Sequence, residues 1–194
     1  MNFKPVPLAD AWLIESVVNA DERGSFARRW CAREFAEHGI AHAFVQSSVS
    51  RTRQAGTLRG LHFQWPPSME AKLVSCETGS IHDVIVDLRP DSATFGEHFA
   101  VQLDAQSTQS LYVPPGFAHG FQTLEDDCTV SYTMTDFYQP ELADGVRFDD
   151  EHFGICWPRQ VTQIVERDRS YPDFDPQVYR DRYSRQLAER GSDS

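Results

Sequence analysis

Short apolar stretches separated by polar turns make up the middle of the chain. The stretches are rich in Val, Ile, Phe, Tyr and Thr, which favour extended strands, and Gly, Pro, Asp and Ser residues punctuate them. Closely spaced strands without long helices between them are typical of a sandwich, a jelly roll or a barrel. We predict strands at Phe44–Ser50, Thr57–Gln64, Lys72–Thr78, Ile81–Leu88, Phe99–Leu103, Gln109–Val113 and Thr129–Thr135.

Two segments have the pattern of helices. Residues Ala32–His38 precede a glycine that commonly ends a helix, and the polar segment from Gln177 to Glu189 contains neither Gly nor Pro. We expect one all-β domain with short peripheral helices over residues 1–175, followed at 176–194 by a surface helix and a frayed tail. The strand-poor stretch between Thr135 and Pro172 is long enough to cover an active site.

The composition is that of a folded protein with a strong negative charge. Of the 194 residues, 40% are hydrophobic, and the formal net charge is −11. Nucleic acids and anionic membranes attract proteins with a basic surface, so we expect neither as a partner. An anionic small ligand would need locally placed Arg, Lys or His side chains.

Nothing in the sequence indicates export from the cytoplasm. Residues 1–11 lack the charged and apolar regions of a secretion signal, and no apolar stretch approaches the roughly 20 residues that span a bilayer. The cysteines form no C-x-x-C pair, which argues against a zinc knuckle and a disulfide framework. We therefore expect a cytoplasmic protein with reduced thiols at Cys31, Cys76, Cys128 and Cys156.

Two segments carry the candidate chemistry. The first runs from Gly56 to Gln64 and reads Gly-Thr-Leu-Arg-Gly-Leu-His-Phe-Gln, and the second, from Pro114 to Phe121, reads Pro-Pro-Gly-Phe-Ala-His-Gly-Phe. Together they resemble the two sequence motifs of the cupin superfamily. Metal-binding cupins carry His-x-His in the first motif, whereas this chain has His62 followed by Gln64. Because glutamine is a poor ligand for transition metals, we expect no metal and no cofactor.

A closer resemblance covers the chain from about Val17 to Asp168. It rests on Asp21-Glu-Arg-Gly, Leu58-Arg-Gly-Leu-His-Phe-Gln, Ala71-Lys-Leu-Val, Asp83-Val-Ile-Val-Asp-Leu-Arg, Ser92-Ala-Thr-Phe-Gly, Pro115-Gly-Phe-Ala-His-Gly-Phe, the segment from Tyr132 to Tyr138, and Gly154-Ile-Cys-Trp-Pro. In order and spacing, these segments resemble the dTDP-4-dehydrorhamnose 3,5-epimerase family.

The resemblance implies both a fold and an activity. The implied fold is a cupin-type jelly-roll β-barrel that forms a homodimer and needs no metal. The implied enzyme is an isomerase that inverts C3, C5 or both of a nucleotide-diphosphate sugar, a dTDP-linked 4-keto-6-deoxy sugar. Such enzymes supply deoxysugars such as rhamnose for surface polysaccharides or glycosylated metabolites.

Epimerisation beside a ketone requires a base, a stabiliser for the enolate, and an acid on the opposite face of the sugar. The resemblance assigns His62 as the base and Asp168 as the carboxylate that orients it, which suits an imidazole near neutral pH. It places Lys72 at the ketone oxygen, where positive charge stabilises the enolate. Tyr132 matches the general acid, because a phenol is neutral at pH 7 and holds a proton to donate.

The resemblance also assigns residues that contact the nucleotide and the diphosphate. Arginine suits phosphate because its guanidinium offers two parallel donors, and Tyr138 matches the aromatic residue that stacks on the base. The expected substrate-binding residues are Arg23, Arg28, Gln46, Ser48, Arg59, His119, Tyr138 and Arg167.

Strand alternation predicts which of these side chains face the barrel interior. Tyr132 shares one face of its predicted strand with two apolar neighbours, so we expect it in the barrel interior. In the strand that contains His62, strict alternation puts Arg59 on the opposite face. If both line the site, this strand must bend or bulge, and Gly60 is the expected position.

Several positions around the expected site depart from the family. The most pronounced departure is Arg28, where the family usually has glutamate, so that an acceptor becomes a donor. The departures leave open which nucleotide and sugar bind and whether one or both carbons are inverted. The affected positions are Arg28, Ser48, Thr133, Ala143 and Arg167.

The sequence leaves two alternatives to an epimerase open. One is a metal-dependent cupin such as an oxygenase, with a metal near His62 and His119. The other is a protein of the same fold that moves the carbonyl, as a ketoisomerase does, or that only binds a nucleotide sugar.

Overall fold

Two antiparallel sheets and a separate hairpin form the fold in the computed structural model, which describes residues 1–68 and 70–190. The strands are β1 Asn2–Pro5, β2 Trp12–Glu15, β3 Val18–Asp21, β4 Gly24–Ala27, β5 Gln46–Thr52, β6 Leu58–Gln64, β7 Lys72–Thr78, β8 Ser80–Asp87, β9 His98–Asp104, β10 Gln109–Val113, β11 Phe117–Thr123, β12 Cys128–Met134 and β13 Ala143–Gly145. The helices are α1 Ala32–Ala36, α2 Glu166–Arg169 and α3 Pro176–Arg190.

The strand order interleaves distant parts of the chain. One sheet has the order β1-β2-β10-β7-β12-β5 and the other has the order β13-β6-β11-β8-β9, while β3 pairs only with β4. Sequence neighbours such as β7 and β8 lie in different sheets, so the chain crosses repeatedly between the two layers. This is a jelly roll, and the predicted all-β class is confirmed.

The main core lies between the two sheets. Val74, Leu111 and Val130 of the six-stranded sheet pack against Ile85 and Phe121 of the five-stranded sheet, and all five are almost fully buried. Inward-facing apolar residues alternate with outward-facing ones along these strands, which fixes their register. Beyond the apolar core, polar side chains continue these inward-facing rows and line a cavity.

Short helices cover the outer face of each sheet. Phe35 of α1 packs on the six-stranded sheet beside Ile14 and Tyr112. On the five-stranded sheet, the ring of Tyr179 in α3 lies 4.8 Å from that of Trp65. Among the residues that the structure describes, no helix has both the length and the apolar character to cross a membrane.

All seven strands predicted from the sequence are present, with ends that differ by up to two residues. Six strands were not predicted: β1 to β4, β11 and β13. Strand β11 was missed because it contains Gly120, a residue that ordinarily weakens strands. The first helix ends at Ala36, two residues earlier than predicted, and the C-terminal helix is present as α3. The predicted frayed tail at 191–194 lies outside the described residues.

Candidate active site

A cavity of about 870 Å³ lies between the sheets, within the size range of small-molecule sites. Its walls come from β5, β7 and β12 of one sheet and from β6 and β11 of the other. Residues 163–165, Arg167 and Asp168, in the strand-poor stretch that was expected to cover the site, also line it. Ten of the twelve predicted site residues lie here: Gln46, Ser48, Arg59, His62, Lys72, His119, Tyr132, Tyr138, Arg167 and Asp168.

A bulge in β6 brings Arg59 and His62 to the same cavity. His119 pairs with His62 and Phe121 pairs with Arg59, so two residues of β6 lie between these partners where β11 has only one. Gly60 lies at the bulge with φ +113°, and a Cβ there would lie 2.6 Å from the Cα atom of Gly120. The predicted bulge at Gly60 is confirmed, and only glycine fits there.

The imidazole of His62 is held by a buried carboxylate. Nε2 of His62 lies 2.8 Å from Oδ1 of Asp168, whose other oxygen accepts the backbone N–H of Gly60 at 3.0 Å. Asp168 is only 1% exposed, whereas the His62 side chain is about one-third exposed to the cavity. The bulge therefore supplies the N–H that anchors the carboxylate, and the carboxylate anchors the imidazole.

The surroundings of Asp168 favour its ionised form. Burial alone would raise the pKa of this carboxyl group, but the hydrogen bonds from His62 and Gly60 outweigh burial, and the pKa lies below its usual value. An ionised Asp168 can only accept a hydrogen bond from Nε2, so we assign the Nε2–H tautomer to His62. Nδ1 is then the ring nitrogen that can take up a proton.

Arg167 lies beside the same pair. Its Nε donates to Oδ1 of Asp168 at 3.3 Å, and its Nη2 lies 3.0 Å from Nε2 of His62. Arg167 belongs to α2, its side chain is more than half exposed, and it lines the cavity. A guanidinium in this position can meet an anionic ligand as it enters.

Lys72 and Glu70 form an ion pair in the cavity wall. Nζ of Lys72 lies 3.3 Å from Oε2 of Glu70, and it donates to the backbone carbonyl of His62 at 3.4 Å. Both side chains are largely buried. Glu70 was not predicted as a site residue, although its spacing of two from Lys72 places the two side chains on one face of an extended chain.

Tyr132 projects into the cavity from β12, as strand alternation predicted. Burial raises the pKa of its phenol to about 12. The group therefore stays protonated through neutral and moderately alkaline pH. Because β12 and β6 belong to opposite sheets, Tyr132 and His62 approach the cavity from opposite walls.

His119, which lines the cavity, forms a second pair of histidine and carboxylate with Asp83. Nε2 of His119 lies 2.8 Å from Oδ1 of Asp83, and both residues are almost completely buried. The ring of His119 meets that of Tyr132 edge to face, with centroids 6.3 Å apart. Asp83 was not predicted as a site residue. Its signal was a charged residue alternating with Ile81 and Ile85 on the inward face of β8.

The remaining predicted contacts form the mouth of the cavity. Arg59 donates from Nε to the hydroxyl of Thr52 at 3.0 Å, and Gln46 accepts the backbone N–H of Tyr138 at 3.3 Å. The ring of Tyr138 is more than half exposed, as a stacking platform for a base would be. A smaller cavity of about 350 Å³ shares His62 with the first, and Ala143 lines it.

The structure does not bring Arg23 and Arg28 to this cavity. Arg23 lies in the turn between β3 and β4, mostly exposed and paired with Asp21, and Arg28 follows β4 and pairs with Glu34. These two predicted substrate contacts therefore lie away from the cavity of their own chain. The sequence around them resembles the family, but the sequence of a short hairpin does not indicate which cavity lies next to it.

Gln64 is occupied in the loop packing around the site. Its Nε2 donates to the hydroxyl of Ser68 and to the carbonyl of Phe137, and its Oε1 accepts the backbone N–H of Gln139 at 2.7 Å. Within residues 1–68 and 70–190, no group of three or more His, Cys, Asp or Glu side chains is arranged to hold a metal ion.

Comparisons with known proteins agree on one family. The family model described as dTDP-4-dehydrorhamnose 3,5-epimerase matches residues 5–176. The dTDP-4-dehydrorhamnose 3,5-epimerase of Sinorhizobium fredii is 38% identical over 179 residues, which cover 90% of each chain. The crystal structure of the dTDP-4-dehydrorhamnose 3,5-epimerase from Elizabethkingia anophelis has a TM-score of 0.87 and 39% identity to this chain. The match covers 90% of this chain and 96% of that one.

A ligand-bound structure is also similar. The dTDP-6-deoxy-D-glucose-3,5-epimerase of Legionella pneumophila, solved in complex with dTDP-4-keto-L-rhamnose, is 36% identical to this chain with a TM-score of 0.81. The match covers 86% of this chain and 89% of that one.

Proposed function

This chain belongs to the dTDP-4-dehydrorhamnose 3,5-epimerase family, and from this premise we propose how its cavity inverts the carbons beside the ketone of a dTDP-linked 4-keto-6-deoxy sugar. The chain is an isomerase with the predicted cupin-type jelly-roll fold. Family membership favours epimerisation over an oxygenase or a ketoisomerase. The convergence of His62, Asp168, Lys72 and Tyr132 on one cavity carries the catalytic proposal.

His62 removes the proton. Nδ1 accepts a proton from the carbon beside the ketone, and the electron pair of the broken C–H bond moves toward the carbonyl oxygen to form an enolate. Asp168 holds the imidazole in the required tautomer and stabilises the imidazolium that forms. A positioned base of this kind contributes about 10²–10⁴-fold to the rate.

Lys72 stabilises the enolate. Its ammonium lies next to the backbone of His62. One sugar ring can therefore place its ketone oxygen near this ammonium and the neighbouring carbon near the base. Charge that develops on oxygen in a buried site gains more from a fixed donor than it would in water.

Tyr132 returns a proton to the opposite face. The phenol donates to the carbon, the enolate electrons form the new C–H bond, and the ketone is restored with the carbon inverted. The step leaves a phenolate and an imidazolium, which return to their starting forms by exchanging protons with solvent. Inversion of the second carbon repeats the same steps at the other side of the ketone.

The mouth of the cavity binds the nucleotide and the diphosphate. Arg59 and Arg167 offer guanidinium donors to phosphate oxygens, and Tyr138 offers an exposed ring to the base. Gln46, Ser48 and His119 complete the set of polar contacts along the same walls. These cationic groups provide the local attraction that an anionic ligand needs in a protein of net charge −11.

The enzyme acts as a homodimer. Exposed apolar side chains favour burial by a second copy: Val18 and Phe26 of the β3–β4 hairpin, Val17 just before it, and Val49 of the edge strand β5. Arg23 and Arg28, which do not line the cavity of their own chain, would reach substrate only in the cavity of the other copy.

A cytoplasmic location completes the proposal. All four cysteines are free thiols, and two of them, Cys76 and Cys128, are buried in the core. Reduced thiols persist in the reducing cytoplasm, whereas exported proteins more often contain disulfides.

Proton NMR tests the proposed reaction. In deuterated buffer, the protein and a dTDP-4-keto-6-deoxyhexose are expected to give an epimer with deuterium at C3, C5 or both, since each inverted carbon takes its new proton from solvent. In thermal unfolding, dTDP is expected to raise Tm more than GDP, CDP or UDP, because the nucleotide that binds most tightly stabilises the folded state most. At about 100 times its Kd, a ligand stabilises the fold by about 2.7 kcal/mol. An unchanged sugar spectrum without deuterium would refute the proposal.

A further inference from the structure

Glu70 is a charged cavity residue without a part in the reaction proposed above. Its side chain is 10% exposed, it lines both the larger and the smaller cavity, and its Oε2 lies 3.3 Å from Nζ of Lys72. A largely buried carboxylate is costly unless a partner compensates it, and Lys72 is that partner. The pair therefore lies where the enolate is expected to form.

The ammonium of Lys72 has three N–H donors. Nζ forms an ion pair with Oε2 of Glu70 at 3.3 Å and donates one hydrogen bond to the backbone carbonyl of His62 at 3.4 Å. These two fixed partners restrict the orientation of the tetrahedral ammonium and therefore the direction of its third donor. Since the pair lines the cavity, this third donor is available to a ligand in the cavity.

We propose that Glu70 is a positioning residue that directs the third N–H of Lys72 to the ketone oxygen of the sugar. The inference rests on the proposed role of Lys72 and deepens it. Without Glu70, the four-carbon lysine chain would keep one weak contact at 3.4 Å, and its ammonium would occupy several rotamers. A misplacement of about 1 Å can cost up to 10²-fold in rate, because the donor must meet the oxygen as charge develops there.

An acceptor atom at Oε2, more than a negative charge, is what this role requires. Glutamine has the same length and offers a carbonyl oxygen to the ammonium, whereas methionine fills a similar volume without a strong acceptor. The proposal therefore separates Glu70→Gln from Glu70→Met, two variants of nearly the same size. A role limited to packing would affect both variants alike.

Steady-state kinetics with a dTDP-4-keto-6-deoxyhexose tests the inference. Glu70→Met and Glu70→Ala are each expected to lower kcat about 10-fold with KM within about 3-fold of wild type, while Glu70→Gln stays within about 3-fold in kcat. The affinity for dTDP, which lacks the sugar, is expected to stay unchanged in all three variants. Glu141→Ala is the matched control, because Glu141 is exposed and does not line either cavity.

A double-mutant cycle with Lys72 provides the decisive comparison. If Glu70 acts through Lys72, Glu70→Met is expected to have less than about a 2-fold effect on kcat in a Lys72→Ala background. Multiplicative losses in the double variant, or a Glu70→Gln variant as impaired as Glu70→Met, would overturn the inference. Full activity of Lys72→Ala would instead refute the role of Lys72 and this inference with it. Thermal unfolding of each variant confirms that folded protein is compared.

Discussion

Replacing His62 with alanine is expected to lower the rate of deuterium incorporation at C3 and C5 by about 10³-fold. Nδ1 of His62 is the proposed proton acceptor, and its Nε2 is fixed by Asp168 at 2.8 Å. Without the imidazole, the carbon–hydrogen bonds beside the ketone have no positioned base. Proton NMR of a dTDP-4-keto-6-deoxyhexose in deuterated buffer measures both positions in one spectrum.

His42→Ala is a suitable control for this variant, because His42 is exposed and does not line the cavity. It is expected to exchange at the wild-type rate. Because the His62 side chain is partly exposed to the cavity, its removal is expected to leave the surrounding fold intact. The affinity for dTDP is therefore also expected to stay within a few-fold of wild type. A His62→Ala protein that folds, binds dTDP and still exchanges within 10-fold of wild type would exclude His62 as the base.

Replacing Tyr132 with phenylalanine is expected to separate proton exchange from inversion. Phenylalanine keeps the ring that packs against His119 but removes the proton donor on the far wall of the cavity. His62 can still remove a proton and return a deuteron to the same face. We therefore expect the formation of the epimer to fall by about 10²–10³-fold, while deuterium exchange with retained configuration falls much less.

Tyr112→Phe is the matched control for Tyr132→Phe. Burial raises the pKa of both phenols to about 12, but Tyr112 packs with Phe35 on the outer face of the six-stranded sheet. Its loss is expected to leave the ratio of exchange to inversion unchanged. An equal loss of exchange and inversion in Tyr132→Phe would contradict the assignment of the phenol as the acid on the opposite face.

The positions that the sequence predicted correctly share a strong local pattern. Alternation placed Tyr132 in the interior, and the conflict between alternation and function at Arg59 and His62 was enough to predict the bulge at Gly60. Asp168 is different, because only resemblance selected it from a charged run. Its burial depends on the N–H that the bulge exposes more than 100 residues earlier in the chain.

The residues that the sequence did not reveal depend on contacts across the fold. Asp83 is a partner of His119 because β8 and β11 are adjacent, and β11 was not recognised as a strand. Glu70 was not predicted, because its ion pair with Lys72 depends on the place where β7 begins beside the cavity. The hairpin that carries Arg23 pairs with neither sheet, so strand pattern alone could not position it relative to the cavity.

A crystal structure with a bound dTDP-4-keto-6-deoxy sugar, or a non-reacting analogue of it, tests the arrangement most directly. We expect the sugar between the two sheets, with Nδ1 of His62 and the hydroxyl of Tyr132 facing opposite sides of the ring and Nζ of Lys72 within about 3 Å of the C4 oxygen. A sugar bound outside the cavity, or one with both side chains on the same face of the ring, would contradict the proposed mechanism.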